Sequence, residues 1–471
     1  MKPGALLGMA PPPSLRFPLM RWGCLLLVLL GLGTSVAFGR EQDHPQLDAR
    51  LSKLVSGGCV LVGHQEAVLY RYPRGCNPEL IPASLLKIAN ALAALELLGP
   101  EYRFPTEVYA GADGRLGVRG YGDPFLVSET WEDLADQLAT RSGVSRSWSG
   151  LFLDPSAFDP ELNIPGLESS LDPYNAKIGS LASNFNTVFV EVNAQGEIRS
   201  AEPQTPLTNV AIELARELEP GKHRINITQQ PGRSLEFTAE LARAFLQQAG
   251  LRFEEPGFTT RPVSAADVLL LRYENPRPLH EVVAGMLQYS NNFIANQLLL
   301  AMGRSSGSRE PASLGRGLRQ INTFLQTRMG WAADSFRVVE GSGIARDNRM
   351  TPEMVLDLLR AFSPYRKLMP VEKGVLLKTG TLKGIYNIAG YFPEHEDLFF
   401  VVMLEQPRNY RNAVMKHLLR TPFSSAGYRS STQPTGSSAQ PTGFSAEPTG
   451  SSAQPTGSST QPTGSSAQPT E

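Results

Sequence analysis

Apolar and polar positions divide this chain into stretches of different character. Residues 46–56 carry an amphipathic helical pattern, and Cys59–Val62 and Ala67–Tyr72 read as strands joined by Gly63-His64-Gln65-Glu66. An alanine-rich apolar run then predicts a helix that opens at Pro82-Ala83-Ser84 and stops near Gly99-Pro100. From 101 to 260 the pattern breaks into short β-like pieces, Glu107–Tyr109, Gly117–Arg119 and Leu151–Leu153, set among Gly, Asp and Pro turns. Helices at Glu129–Thr140 and Ser234–Ala249 and a strand at Thr187–Val192 complete this mixed α+β stretch. Residues 277–304, 312–329 and Val355–Phe362 return to helical periodicity, and Tyr386–Tyr391 reads as a strand. Leu398–Leu404 is a continuous apolar run, the pattern of a central strand covered on both faces, and residues 409–420 form a closing helix.

The two ends differ from this body. Arg21 precedes the uncharged run Cys24–Gly33, which leads through small residues to Gly39. That is the pattern of an export signal over 1–39, cut after Ala37 or Gly39, with translation able to begin at Met20. The run is shorter than the roughly 18–20 residues that span a bilayer. The expectation is an exported protein, in the periplasm or on the cell-wall side of the cytoplasmic membrane, with at most peripheral membrane contact. The segment 425–471 reads as a disordered tail: from Ser431 a seven-residue unit repeats, without apolar a/d positions and with Pro and Gly in every copy.

The net charge is −1 over 471 residues, which gives no electrostatic case for nucleic acid. The six histidines are scattered without metal-ligand spacing, so no metal or other cofactor is expected. If the signal is cleaved, two cysteines remain, Cys59 and Cys76, which flank the first hairpin. They could pair in an oxidising compartment, although spacing alone leaves the geometry open.

Chemistry concentrates in three stretches. Ser84 and Lys87 lie three apart at the start of a helix, so the amine can lie beside the hydroxyl, and the first-turn N–H groups favour developing negative charge. Tyr289-Ser290-Asn291-Asn292 places a hydroxyl and a carboxamide in a turn opening a helix: Ser290 could relay a proton and Asn292 could bind a substrate amide. Leu377-Lys378-Thr379-Gly380-Thr381 is a short strand on which Lys378 and Thr379 could hold a carboxylate. There Gly380 permits close backbone approach, and the Thr381 N–H could serve an oxyanion.

Ser-x-x-Lys, Ser-x-Asn and Lys-Thr-Gly in this order resemble the signature of penicillin-binding proteins and serine β-lactamases. The gap of 206 residues (290 − 84) before the second motif, against 88 (378 − 290) after it, resembles the D-alanyl-D-alanine carboxypeptidase/endopeptidase family, the class C low-molecular-mass penicillin-binding proteins. Gly120–Leu126, Pro173-Tyr174-Asn175-Ala176 and Glu340–Arg349 agree with it. The resemblance implies an α/β (α+β) fold, in which an antiparallel transpeptidase sheet flanked by helices (40–99 and 263–424) is interrupted by an inserted α+β domain (100–262). It implies a serine-type D-Ala-D-Ala carboxypeptidase, with DD-endopeptidase activity left open, acting on peptidoglycan stem peptides and inhibited by β-lactams. Ser84 would be the nucleophile, Lys87 the base, and Ser290 and Lys378 the proton route. Asn292, Lys378, Thr379, Gly380 and Thr381 would bind substrate and oxyanion.

Two positions depart from the family pattern. Asn291 stands where Asp is usual, and Asn296 where Glu is frequent. They are the residues that favour a catalytically silent wall-binding scaffold, one alternative. A β-lactamase of related fold is the other, and the long gap argues against it.

Overall fold

The computed structural model describes residues 41–304 and 310–424; the export-signal and repeat-tail readings lie outside them. Six antiparallel strands form the main sheet, in the order Val371–Glu372, Val375–Leu382, Ile385–Phe392, His395–Glu405, Gly58–Gly63 and Val68–Tyr72. The chain's first hairpin is thus added beside its last strand, with Val60 opposite Val402. The apolar run works as its pattern predicts. Leu398, Phe400, Val402 and Leu404 face a thin layer holding Leu47, Leu51, Val414 and Leu418. Phe399, Val401 and Met403 face the helical layer, the two-residue alternation of a pleated strand.

The helical layer centres on Leu86–Leu98, whose first ten residues are all buried. A helix apolar all round belongs in a core, and its alanines let neighbours approach closely. Helices Leu279–Gln288, Asn292–Met302, Leu314–Met329 and Pro352–Phe362 pack around it. The first helix is shorter than expected, Pro45–Leu51. The helical stretch 277–304 is two helices separated at Tyr289–Asn291, the turn expected to open a helix at the second motif, and Ser290 there takes a positive φ of 50°.

The stretch after Gly99 builds a core of its own around Trp131, Phe237 and Tyr273. It contains a five-stranded mixed sheet, in the order Phe258–Thr260, Leu151–Asp154, Leu116–Gly120, Pro105–Ala110 and Val268–Glu274, and a separate three-stranded sheet. Strand Val268–Glu274 pairs with Pro105–Ala110. The insert's sheet therefore runs to 274, past the boundary expected at 262, because the strand opposite its first strand is its last. Asp123 marks where the chain leaves and returns: its carboxylate accepts from Asn275 Nδ2 at 2.8 Å and from Phe125 N at 2.8 Å. Cys59 and Cys76 form a disulfide. No helix among the described residues is long and apolar enough to cross a membrane.

Candidate active site

The Ser84 turn is a 3-10 turn, Ala83–Leu85, running into the buried helix. Ala83 holds a φ of 46°, a region that costs an L-residue about 1 kcal/mol or more and that persists where surrounding structure enforces it. Here the enforcement is visible. Asn387, fully buried, donates to the carbonyls of Ile81 at 2.8 Å and Pro82 at 3.0 Å, and accepts from Leu404 N at 3.1 Å. The turn is also gripped between two glycines. A Cβ on Gly380 would lie 3.0 Å from Ser84 N, and one on Gly343 would lie 1.9 Å from the Ala83 carbonyl oxygen.

Lys87 is buried and donates to three acceptors: Ser84 Oγ at 3.0 Å, Asn292 Oδ1 at 2.8 Å and the Ser342 carbonyl at 2.7 Å. Lys378, also buried, donates to Ser290 Oγ and to its neighbour's carbonyl at Thr379, both at 2.9 Å. The three sequence stretches therefore meet at one place. Burial drives the Lys87 pKa well below the usual lysine value; Lys378 lowers it further, and Glu340 opposes both. Burial also lowers Lys378, to about 8. Two lysines with depressed but unequal affinities allow one to act as a neutral base while the other remains a cation.

The third-motif strand supplies a free edge. Leu377 N donates outward to the Pro370 carbonyl. Period-two alternation then turns the N–H groups of Thr379 and Thr381 to the same edge. The neighbouring strand there pairs only with Val375 and Leu376, so Lys378–Leu382 can pair with an extended ligand. Behind the edge, Arg411 donates to the Thr381 hydroxyl and to the Gly380 carbonyl.

Several residues outside the three motifs hold the site. Glu340 is wholly buried and accepts at Oε2 from Ser342 N (2.6 Å) and Ser342 Oγ (2.7 Å), and at Oε1 from Gly343 N (2.6 Å) and Asn348 Nδ2 (2.9 Å). It thereby shapes the loop whose Ser342 carbonyl takes the Lys87 amine. The two departing asparagines fit this framework. Asn291 caps its helix by accepting from Ile294 N at 2.9 Å, a task Asp and Asn perform alike. Asn296 accepts from Gly341 N at 2.7 Å and donates to Glu340 Oε2 at 3.2 Å. A glutamate at 296 would set a second carboxylate against the first.

The D-Ala-D-Ala carboxypeptidase 3 (S13) family matches residues 42–368. The chain is 27% identical to a D-alanyl-D-alanine carboxypeptidase of an Actinomadura species, over 69% of this chain and 73% of the relative. It is 25% identical to the D-alanyl-D-alanine carboxypeptidase DacB of Haemophilus influenzae, over 66% of this chain and 77% of the relative. Among solved structures, penicillin-binding protein 4 of H. influenzae superposes with a TM-score of 0.63 at 21% identity, over 79% of this chain and 97% of that one. That protein has also been solved with a β-lactam, with a TM-score of 0.58 to this chain at 18% identity, over 78% of this chain and 97% of that one. Motif order, fold and family match coincide, and the chain belongs to the D-Ala-D-Ala carboxypeptidase 3 (S13) family.

Proposed function

We propose that the chain removes D-alanine from peptidoglycan stem peptides through an acyl-enzyme on Ser84. The observation that carries this reading is the Lys87 amine, buried and held 3.0 Å from the Ser84 hydroxyl. Neutral Lys87 takes the hydroxyl proton as Ser84 Oγ attacks the penultimate D-alanine carbonyl. The N–H groups of Ser84 and Thr381 receive the oxyanion. The Lys87 ammonium then gives that proton up through the Ser290 hydroxyl, held by the Lys378 ammonium, to the departing D-alanine amine, so that Lys87 is again neutral and Ser290 again a hydroxyl. Water then cleaves the ester and returns the proton to Ser84. Asn292, with Thr379 and Lys378 across the cleft, orients the peptide. β-Lactams acylate the same serine and trap the same intermediate.

Export completes the reading: the basic and apolar N-terminal pattern favours it, and the Cys59–Cys76 disulfide supports an oxidising compartment. Fluorescent penicillin should label the wild type covalently and leave Ser84→Ala unlabelled. An unlabelled wild type rejects the acyl-enzyme.

A further inference from the structure

A cavity of about 710 Å³ opens beside Ser290 and Asn292, and no residue of the third-motif strand lines it. Its far wall comes from the insert. Phe125 and Phe185 pack edge to face with ring centroids 5.4 Å apart. Asn184, Phe185 and Asn186 all hold positive φ, from 47° to 59°, a strained turn of the kind that clusters at ligand sites. Tyr174 and Tyr289 also line the cavity, 55% and 80% exposed. The Tyr174 carbonyl accepts from Asn292 Nδ2 at 3.1 Å, so the insert reaches the second motif directly.

The charges on this cavity are unequal in their commitments. Glu202 is paired with Arg224 at 2.5 Å, and Glu129 accepts from Gln204 at 3.0 Å. Arg277 lies 5.3 Å above the Phe125 ring; its charge acts on the buried Asp123 carboxylate, which hydrogen-bonds to Asn275 and Phe125 N instead, and no carboxylate among the described residues forms a salt bridge with Arg277. A guanidinium stacked on an aromatic and open to a cavity is a receptor for a planar anion.

We propose that this cavity is a subsite for the acyl side of the stem peptide, in which Arg277 binds the free α-carboxylate of its γ-linked D-glutamyl residue. The assignment rests on the activity proposed above. The substrate's terminal carboxylate is claimed by Lys378 and Thr379 across the cleft, and Asn292 takes the amide on the acyl side. What lies beyond Asn292 is therefore upstream peptide. The glutamyl residue stands two before the penultimate D-alanine, roughly 7 Å of extended chain. The aromatic walls cover its methylenes.

The test compares three substrates: diacetyl-L-Lys-D-Ala-D-Ala, which ends short of the cavity; L-Ala-γ-D-Glu-L-Lys-D-Ala-D-Ala; and the same pentapeptide with the glutamyl α-carboxylate amidated. The wild type should prefer the acid over the amide by about tenfold in kcat/KM, the value of one charge-assisted contact. Arg277→Gln should abolish that preference, and Arg277→Lys should restore part of it. The tripeptide and the rate of penicillin acylation should be unchanged in both. Equal wild-type rates on acid and amide overturn the subsite, as does an Arg277→Gln loss shared by all three substrates. Failure of the wild type to cleave even the tripeptide, or to be acylated, would instead reject the activity itself.

Discussion

Lys378 Nζ lies 2.9 Å from the Ser290 hydroxyl, so the second and third motifs meet through a buried cation. Lys87 requires the opposite state to accept a proton. Acylation should therefore rise with pH as Lys87, held well below the usual lysine range by burial and by Lys378, loses its proton. It should fall again as Lys378 deprotonates at about 8. The pH dependence of penicillin acylation checks this: a rate still climbing at pH ~10, where an ordinary lysine titrates, rejects a neutral Lys87 base.

Glu340 couples loop shape to base strength. Glu340→Gln keeps the volume but offers one acceptor oxygen where two carboxylate oxygens receive Ser342, Gly343 and Asn348. Stability should fall by roughly 2–4 kcal/mol, measured by urea unfolding. The lost negative charge no longer raises Lys87's affinity for protons, so the acid limb of acylation should move to lower pH. An unmoved limb in a folded variant would show that Glu340 acts on structure alone.

Gly343→Ala places a methyl against the Ala83 carbonyl, at a φ of 85° that already disfavours a side chain. The methyl meets backbone atoms of Ala83 and Ser84, which cannot swing aside as a side chain can, so the Ser84 turn must move. Acylation should slow about 100-fold, the usual result of displacing a reacting atom by an ångström, while circular dichroism remains native. Wild-type acylation would mean that the turn is not gripped as described.

Removing the Cys59–Cys76 bridge reopens a loop whose ends are 17 residues apart. The expected loss is about 3 kcal/mol, seen as a lower melting temperature in Cys59→Ser and in reduced wild type. Equal melting temperatures with and without reductant would place the bridge outside the stability-limiting unit.

The nucleophile helix and the central strand were legible because both are apolar runs whose burial is nearly total. The three motifs were legible because their residue types and order are rare together. The tasks of Glu340 and Asn387 were not: Glu340 lies in a stretch, Glu340–Arg349, whose pattern assigns its carboxylate no role, and it works by folding the loop back on itself through Ser342 and Gly343 N–H groups. Asn387 lies inside an expected strand, and its hydrogen bonds reach backbone distant in sequence. Arg411 likewise reaches the third motif from a helix that reads as a plain closing element. The insert's true return at Val268–Glu274 was hidden because strand pairing across more than 150 residues leaves no local trace. The turn at Ser290 was legible inside a helical stretch because Ser and Asn at 290–292 have the side chains of a helix start, and Asn291 caps the second helix.

The main sheet joins the chain's first hairpin to its last strands, and this imposes an order on biosynthesis. Ser84 and Lys87 are made early, yet their oxyanion edge and the partner strand of Gly58–Gly63 arrive some three hundred residues later. The insert, with its own core, can fold in the interval. A nascent or truncated chain ending before Val375 would thus carry Ser84 and Lys87, the proposed nucleophile and base, and still take no penicillin label. The hydrolase would remain latent until its synthesis is nearly finished, a delay measurable by labelling a series of C-terminal truncations.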